Sequence, residues 1–189
     1  MDERIKLVGI EMLSEAWGKL TRATLDYRRA DGTHQTQLRE CYDHGNAAAM
    51  ILFDPARRTV LLTRQFRYPV AANGDPAWLI EACAGLLDGD DPLTGIMREA
   101  LEETGHQPRD VQHLFDTYPS PGSLQEKLSL FVGHYDAATK ITDGGGLAEE
   151  GEEIEVLELG LDAALAMIGS GGIVDAKTVM LLQWLALHR

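Results

Sequence analysis

Cysteine is scarce in this chain: two in 189 residues, Cys41 and Cys83. Two cannot build a disulfide framework, and both sit in apolar stretches, which reads as buried packing. Basic residues are also short. Seventeen Lys and Arg stand against thirty Asp and Glu, a formal net charge of −13. Binding a phosphate backbone takes clustered cations, so a nucleic-acid partner is not expected. An anionic small molecule would need a cation to mediate its contact. No stretch reaches about 18 uninterrupted apolar residues, so neither a membrane span nor a signal peptide is expected, and a cytoplasmic protein follows as the default. Internal repeats and low-complexity tracts are missing too. What is present, 44% hydrophobic and 25% charged residues, suits one ordinary domain with at most a small extension.

The first 43 residues read as short strands. "IKLVGIEML", "GKLTRATLDY" and "HQTQLRECY" alternate imperfectly, with an Asp31-Gly32 turn between the last two. Such a sheet has little core of its own and must pack on something. In residues 44–189, two apolar strands flank the polar turn Asp54–Arg58, giving a hairpin. "WLIEACAG" reads as one strand, and a helix follows over about 92–104, with Asp91 as its cap, Pro92 in its first turn and Gly105 at its exit. "DVQHLFDTYPSPG" predicts a strand ending in a Pro-rich turn, and "KLSLFVGHYDA" and "EIEVLELG" predict two more. Between those two lies "TKITDGGGLAEEGEE", an acidic glycine-rich loop long enough to suggest a function. "LDAALAMIGSG" and "DAKTVMLLQWLALHR" carry helical apolar spacing. The whole is a mixed sheet with a few helices.

The helix at 92–104 holds the chemistry. On a wheel of about 100° per residue, Leu93, Ile96, Met97, Ala100 and Leu101 form an apolar face. Glu99 and Glu103 share one edge of it, and Arg98 and Glu102 pair on the far side. Acidic side chains at a helix C-terminus cost about 0.3–1 kcal/mol each through the dipole, and neighbouring carboxylates repel. A divalent cation between Glu99 and Glu103 would remove both costs. All-oxygen ligands point to Mg²⁺ or Mn²⁺ rather than zinc. The alternative is a solvated acidic helix end.

The stretch "GLLDGDDPLTGIMREALEETG" resembles the signature box of the Nudix hydrolases, enzymes that cleave nucleoside diphosphates linked to another moiety. Gly85, Asp91, Arg98, Glu99, Ala100, Glu102, Glu103 and Gly105 match it in order. Asp91 stands where Glu is usual, His106 where an apolar residue is usual, and the intervening segment is one residue short. "RECYDHGNAA", "LLTRQFR", "LIEACAGLLD", "REALEETG", "GGG" and "EIEVLEL" extend the likeness to the GDP-mannose branch of that family.

This resemblance implies an α+β Nudix fold, a mixed β-sheet sandwiched by helices, preceded by an N-terminal antiparallel sheet (residues 1–43) exchanged across a homodimer. It implies metal ligation by the Ala84 carbonyl, Glu99, Glu103 and a glutamate from the late acidic loop. That loop offers Glu149, Glu150, Glu152 and Glu153; alignment from the following strand selects Glu152, with Glu150 next. Glu99, Glu103 and Glu152 are then the catalytic set. Substrate contacts would fall on Trp17, Arg39, Glu40, Arg67, Gly85, Glu126 and Lys177. Trp17 replaces a Tyr, and Leu38 stands where a Lys precedes the Arg-Glu pair. The expected activity is metal-dependent hydrolysis of a nucleotide sugar, GDP-mannose to GMP and mannose 1-phosphate. ADP-ribose or an ADP-sugar is the alternative substrate, and a non-hydrolytic nucleotide-sugar sensor the alternative of another class. A sensor could lose Glu99 or Glu103, and this chain keeps both.

Overall fold

The computed structural model describes residues 2–188, which fall into two compact units. One gathers the chain up to Asn46 with the segment Tyr118–Lys127; the other is Ala47–Thr117 with the chain from Leu128 onward.

In the first unit, β1 (Ile5–Glu15), β2 (Lys19–Arg28) and β3 (His34–Asp43) form an antiparallel sheet in chain order. The β2–β3 turn is where Asp31-Gly32 predicts it. Gly32 takes φ +84, and Asp31 accepts a 2.9 Å hydrogen bond from the Thr33 N–H. The Pro-rich segment 118–127 joins this sheet, with Tyr42 N–H donating to Ser123 O at 2.9 Å and Gln125 N–H to Tyr42 O at 3.0 Å. Only Gly18 is buried among the described residues of this unit. A side chain there would collide with the Tyr42 ring. Leu7, Val8, Ile10, Met12 and Leu38 are exposed. Cys41 is half-buried, not buried as its apolar surroundings predict.

The second unit is built on a mixed sheet. Its central strand β4 (Ala47–Asp54) is buried along its whole length. It pairs antiparallel with β5 (Thr59–Phe66) and parallel with β9 (Leu128–His134). The outer strands are β10 (Glu155–Gly160) beside β5 and β8 (Arg109–Thr117) beside β9. Period-2 alternation sends β4 side chains to two cores. Ala47, Ala49, Ile51 and Phe53 pack with Leu161 and Ala164 of α3 (Leu161–Ser170) and Leu181, Leu182 and Leu185 of α4 (Ala176–His188). Ala48, Met50 and Leu52 pack with Ile96 and Ala100 of α2 (Pro92–Thr104). The sheet is therefore covered by helices on both faces. No helix among the described residues is long and apolar enough to cross a membrane.

Two elements differ from the sequence reading. A short helix, α1 (Tyr68–Ala72), follows β5 with Pro in its first turn; five residues are too few to show a helical period. "WLIEACAG" is two strands, β6 (Trp78–Glu81) on β5 and β7 (Cys83–Leu86) on β4. The change of partner falls at Ala82, whose N–H leaves the ladder and donates to Thr178 Oγ1 at 2.7 Å.

Candidate active site

Helix α2 begins as its sequence demands. Asp91 accepts from the N–H groups of Leu93 and Thr94 at 3.1 and 3.2 Å, and Pro92 needs no partner there. Gly105 ends the helix at φ +75. The buried face, however, is Gly95, Ile96, Ala100, Glu103 and Thr104, while Leu93 is exposed. Glu103 thus lies within the buried face, not at its edge.

Glu103 is 1% exposed. One carboxylate oxygen accepts from Ala84 N–H at 3.2 Å, and no ion pair reaches it among the described residues. Burial, with the charges of Glu99 and Glu152 adding, pushes its pKa from 4.5 to about 8. Glu99 is raised to about 7, again by burial first, although Arg98 at 3.0 Å opposes the shift. At about 1.4 kcal/mol per unit, ionising Glu103 in the fold costs on the order of 3–5 kcal/mol between pH 7 and 9. That exceeds the helix-dipole penalty of about 0.3–1 kcal/mol. The cost of the acidic helix end is therefore mainly desolvation, not the dipole that the sequence pattern suggests. Glu99 lies against Gly85, where any Cβ would overlap its carboxylate. Arg98 pairs with Glu102 at 3.1 Å, as the wheel predicts.

The glycine-rich loop is fastened to this helix by its backbone. Gly145 N–H donates to Glu103 O at 2.9 Å and Gly146 N–H to Glu102 O at 3.0 Å, while Thr142 N–H donates to Gly105 O at 3.1 Å. The helix's last carbonyls, which lack partners within the helix, are satisfied there. Gly144, Gly145 and Gly146 have φ of +71, +109 and +81, a run that side chains resist. A Cβ on Gly144 would also meet the Glu103 carbonyl. The buckle carries Glu152, whose carboxylate accepts from Leu147 N–H at 2.9 Å. Its charge acts on both Glu99 and Glu103; that of Glu150 acts on Glu99.

Glu99, Glu103 and Glu152 act on one another electrostatically, yet among the described residues no three such side chains are gathered closely enough to hold a metal ion. The nearest approach to a cation site is the Glu99–Glu103 pair on one helix, with Glu103 buried. The donors are all hard oxygens, which suits a hard divalent cation, and Gly85 is the residue whose lack of a side chain makes room for the Glu99 carboxylate.

Arg67 and Lys177, expected as separate contacts, meet on one residue that sequence reasoning missed. Glu81, 2% exposed, accepts two bonds from Arg67, at 2.7 and 3.2 Å, and one from Lys177. Burial alone would raise the Glu81 carboxyl and lower both cations, but their mutual attraction wins. Glu81 is held below its usual range, and Arg67 and Lys177 above theirs. The available signal was a lone acid in an otherwise apolar strand. Asp175 was missed as well. It bonds Lys177 and caps α4 through Thr178 N–H, both at 3.0 Å.

The remaining predicted contacts lie in the first unit. Trp17 is 74% exposed and stacks on His44 at 5.2 Å. Arg39 donates to Gln37 and to Leu38 O, Glu40 accepts from Arg22 at 2.9 Å, and Glu126 is half-buried in the segment before β9.

Comparison with known proteins gives two family matches. Residues 43–172 match the NUDIX domain, and residues 4–42 the GDP-mannose pyrophosphatase NudK N-terminal domain. Among similar proteins is a GDP-mannose pyrophosphatase of Yersinia enterocolitica, 47% identical over all of this chain and 98% of the relative. Another, from Yersinia pestis, is 46% identical over all of this chain and 94% of its own length. A third, from Pectobacterium atrosepticum, is 45% identical over 97% of this chain and 94% of its own length. With Arg98, Glu99, Glu102 and Glu103 of the box on one helix and that helix buckled to an acidic loop, the chain belongs to the Nudix hydrolase family and is a pyrophosphate-hydrolysing enzyme.

Proposed function

We propose that this enzyme hydrolyses the diphosphate of a nucleotide sugar, GDP-mannose by preference, to GMP and mannose 1-phosphate, with Mg²⁺ or Mn²⁺ as its cation. The observation that carries the reading is the pair of α2 carboxylates, Glu99 and Glu103, whose pKa values are raised by burial and by repulsion to which the charge of Glu152 adds. Full-length relatives named GDP-mannose pyrophosphatase support the choice of substrate.

In this reading the Ala84 carbonyl, Glu99, Glu103 and Glu152 would hold the cation, which would supply charge screening for the diphosphate and an acidified water for in-line attack. Glu152, on the loop rather than the helix, would hold the cation or accept the water's proton. Arg98, 3.0 Å from Glu99, orients that carboxylate and offsets part of the rise that burial gives it. Gly85 makes room for the Glu99 carboxylate, and its backbone is the proposed substrate contact. Arg67 and Lys177 donate to the diphosphate oxygens, a task for which the planar fork of arginine is suited. Trp17 offers a flat face for a base, worth about 1–3 kcal/mol where such stacking has been measured in single-strand binders. Arg39, Glu40 and Glu126 supply the polar contacts that choose base and sugar.

The N-terminal sheet, residues 1–43 in the sequence reading, serves here as the dimerisation unit, exchanged between two copies. Support comes from a unit that, among its described residues, buries only Gly18 and exposes Leu7, Val8, Ile10 and Met12. A cytoplasmic location accords with the scarcity of cysteine.

The test is kcat/KM for GDP-mannose, GDP-glucose, ADP-ribose and ADP-glucose under identical Mg²⁺. GDP-mannose should lead. An ADP-linked compound hydrolysed about tenfold better would overturn the guanine assignment while leaving the metal-dependent chemistry standing.

A further inference from the structure

The structure assigns Glu81 as a positioning residue that gathers Arg67 and Lys177 into one anion-binding pair. This rests on the proposed hydrolysis and adds to it a residue outside the signature box.

Glu81 ends β6, immediately before the residue at which the strand changes partner. Its side chain is 3% exposed, that of Lys177 14% and that of Arg67 39%. Both oxygens of Glu81 are taken by Arg67, through Nε and Nη2, and one also receives Lys177. Lys177 gives a second proton to Asp175 at 3.0 Å. The donors are not all spent. Arg67 Nη1 makes no hydrogen bond among the described residues, and Lys177 retains a third N–H. Glu103 accepts from Ala84 N–H, two residues past the break at Ala82 that Glu81 precedes, so Glu81 and the helix carboxylate are tied to the same short stretch of chain, and the half-exposed guanidinium feels the charge of Glu103. An anion held by these donors would lie next to the cation site.

The anchor is itself braced. Thr178 Oγ1 donates to Asp175, while accepting from Ala82 N–H at 2.7 Å. The start of α4 and the break between β6 and β7 are thereby joined, which fixes Lys177 relative to Glu81. A buried ion pair often adds little net stability. Here one buried carboxylate holds two cations from separate elements, with donors left over.

The experiment compares wild type with Glu81→Gln and Glu81→Asp. Steady-state kinetics on GDP-mannose with saturating Mg²⁺ is paired with calorimetric binding of inorganic pyrophosphate. In Glu81→Gln, KM and the pyrophosphate Kd should both rise by about tenfold or more, as expected for loss of charge-assisted contacts. The value of kcat and the Mg²⁺ activation constant should stay within about threefold. Glu81→Asp keeps the charge but withdraws it, and should fall between; it provides the reading if the Gln variant does not fold. Adding Arg67→Lys to Glu81→Gln should raise KM by less than the two single effects combined, because both act through one contact. Unchanged KM and pyrophosphate affinity, with only a lower melting temperature, would make Glu81 a structural ion-pair partner and overturn the assignment. Wild type that binds pyrophosphate in a Glu81-dependent way but leaves GDP-mannose intact would refute the substrate reading and leave the positioning role standing.

Discussion

Glu103→Gln should make the metal-free protein more stable at high pH and less stable at low pH. The Glu103 carboxyl has a folded pKa of about 8 against an ordinary 4.5. Between those values the fold binds more protons than the unfolded chain, so this contribution to stability is complete below 4.5 and is lost as pH rises through 8. At pH 9 the penalty for holding the ionised group is on the order of 5 kcal/mol. Glutamine is nearly isosteric, carries no charge and keeps an oxygen for Ala84 N–H. Its buried NH₂ brings a cost of about 1–3 kcal/mol if poorly paired. The balance is a gain on the order of 2–4 kcal/mol at pH 9 and a loss of about 1–3 kcal/mol at pH 4, below the ordinary value of 4.5. Glu99, raised to about 7, changes in the same direction in both proteins and does not remove the crossing. In thermal melts with EDTA, where each kcal/mol moves a domain of this size by about 2–4 °C, the two curves of melting temperature against pH should intersect. Parallel curves, or a variant less stable at every pH, would refute burial as the origin of the shift and make Glu103 an ordinary structural residue.

Two further outcomes are expected. Gly144→Ala places a side chain at φ +71 against the Glu103 carbonyl, so it should loosen the buckle. Turnover and divalent-cation affinity should fall together, and normal affinity with normal turnover would show that the loop does not place Glu152. Light scattering at working concentration should give a dimer that is lost when the N-terminal sheet is deleted; a monomeric full-length enzyme would contradict the exchanged-sheet reading.

What could be read from the sequence was local. The cap at Asp91, the αL exit at Gly105, the Arg98–Glu102 pair and the Asp54–Arg58 hairpin depend on residues a few positions apart, where spacing and turn chemistry are explicit. The family box added the carboxylates in one step. What could not be read was held by distant partners. The break at Ala82 is set by Thr178, and Glu81 binds Lys177, each 96 residues away. Nothing in "WLIEACAG" alone says that its glutamate is an anchor. The exposure of Leu93 has the same origin: an apolar face on a wheel shows which side of a helix can be buried, and neighbouring elements decide how far toward its first turn that burial extends. The GGG run is visible in sequence as a flexible point. Its role as a cap on α2 follows only from the bonds of Gly145 and Gly146 to the helix carbonyls.

The most direct test of the carboxylate set is GDP-mannose turnover as a function of free Mg²⁺, for wild type and for Glu99→Gln, Glu103→Gln and Glu152→Gln. The account predicts no turnover after exhaustive chelation and recovery on adding Mg²⁺. Each variant should lose most of that turnover while keeping a cooperative melt. Full turnover in the chelated wild type, or variants as active as wild type, would contradict it.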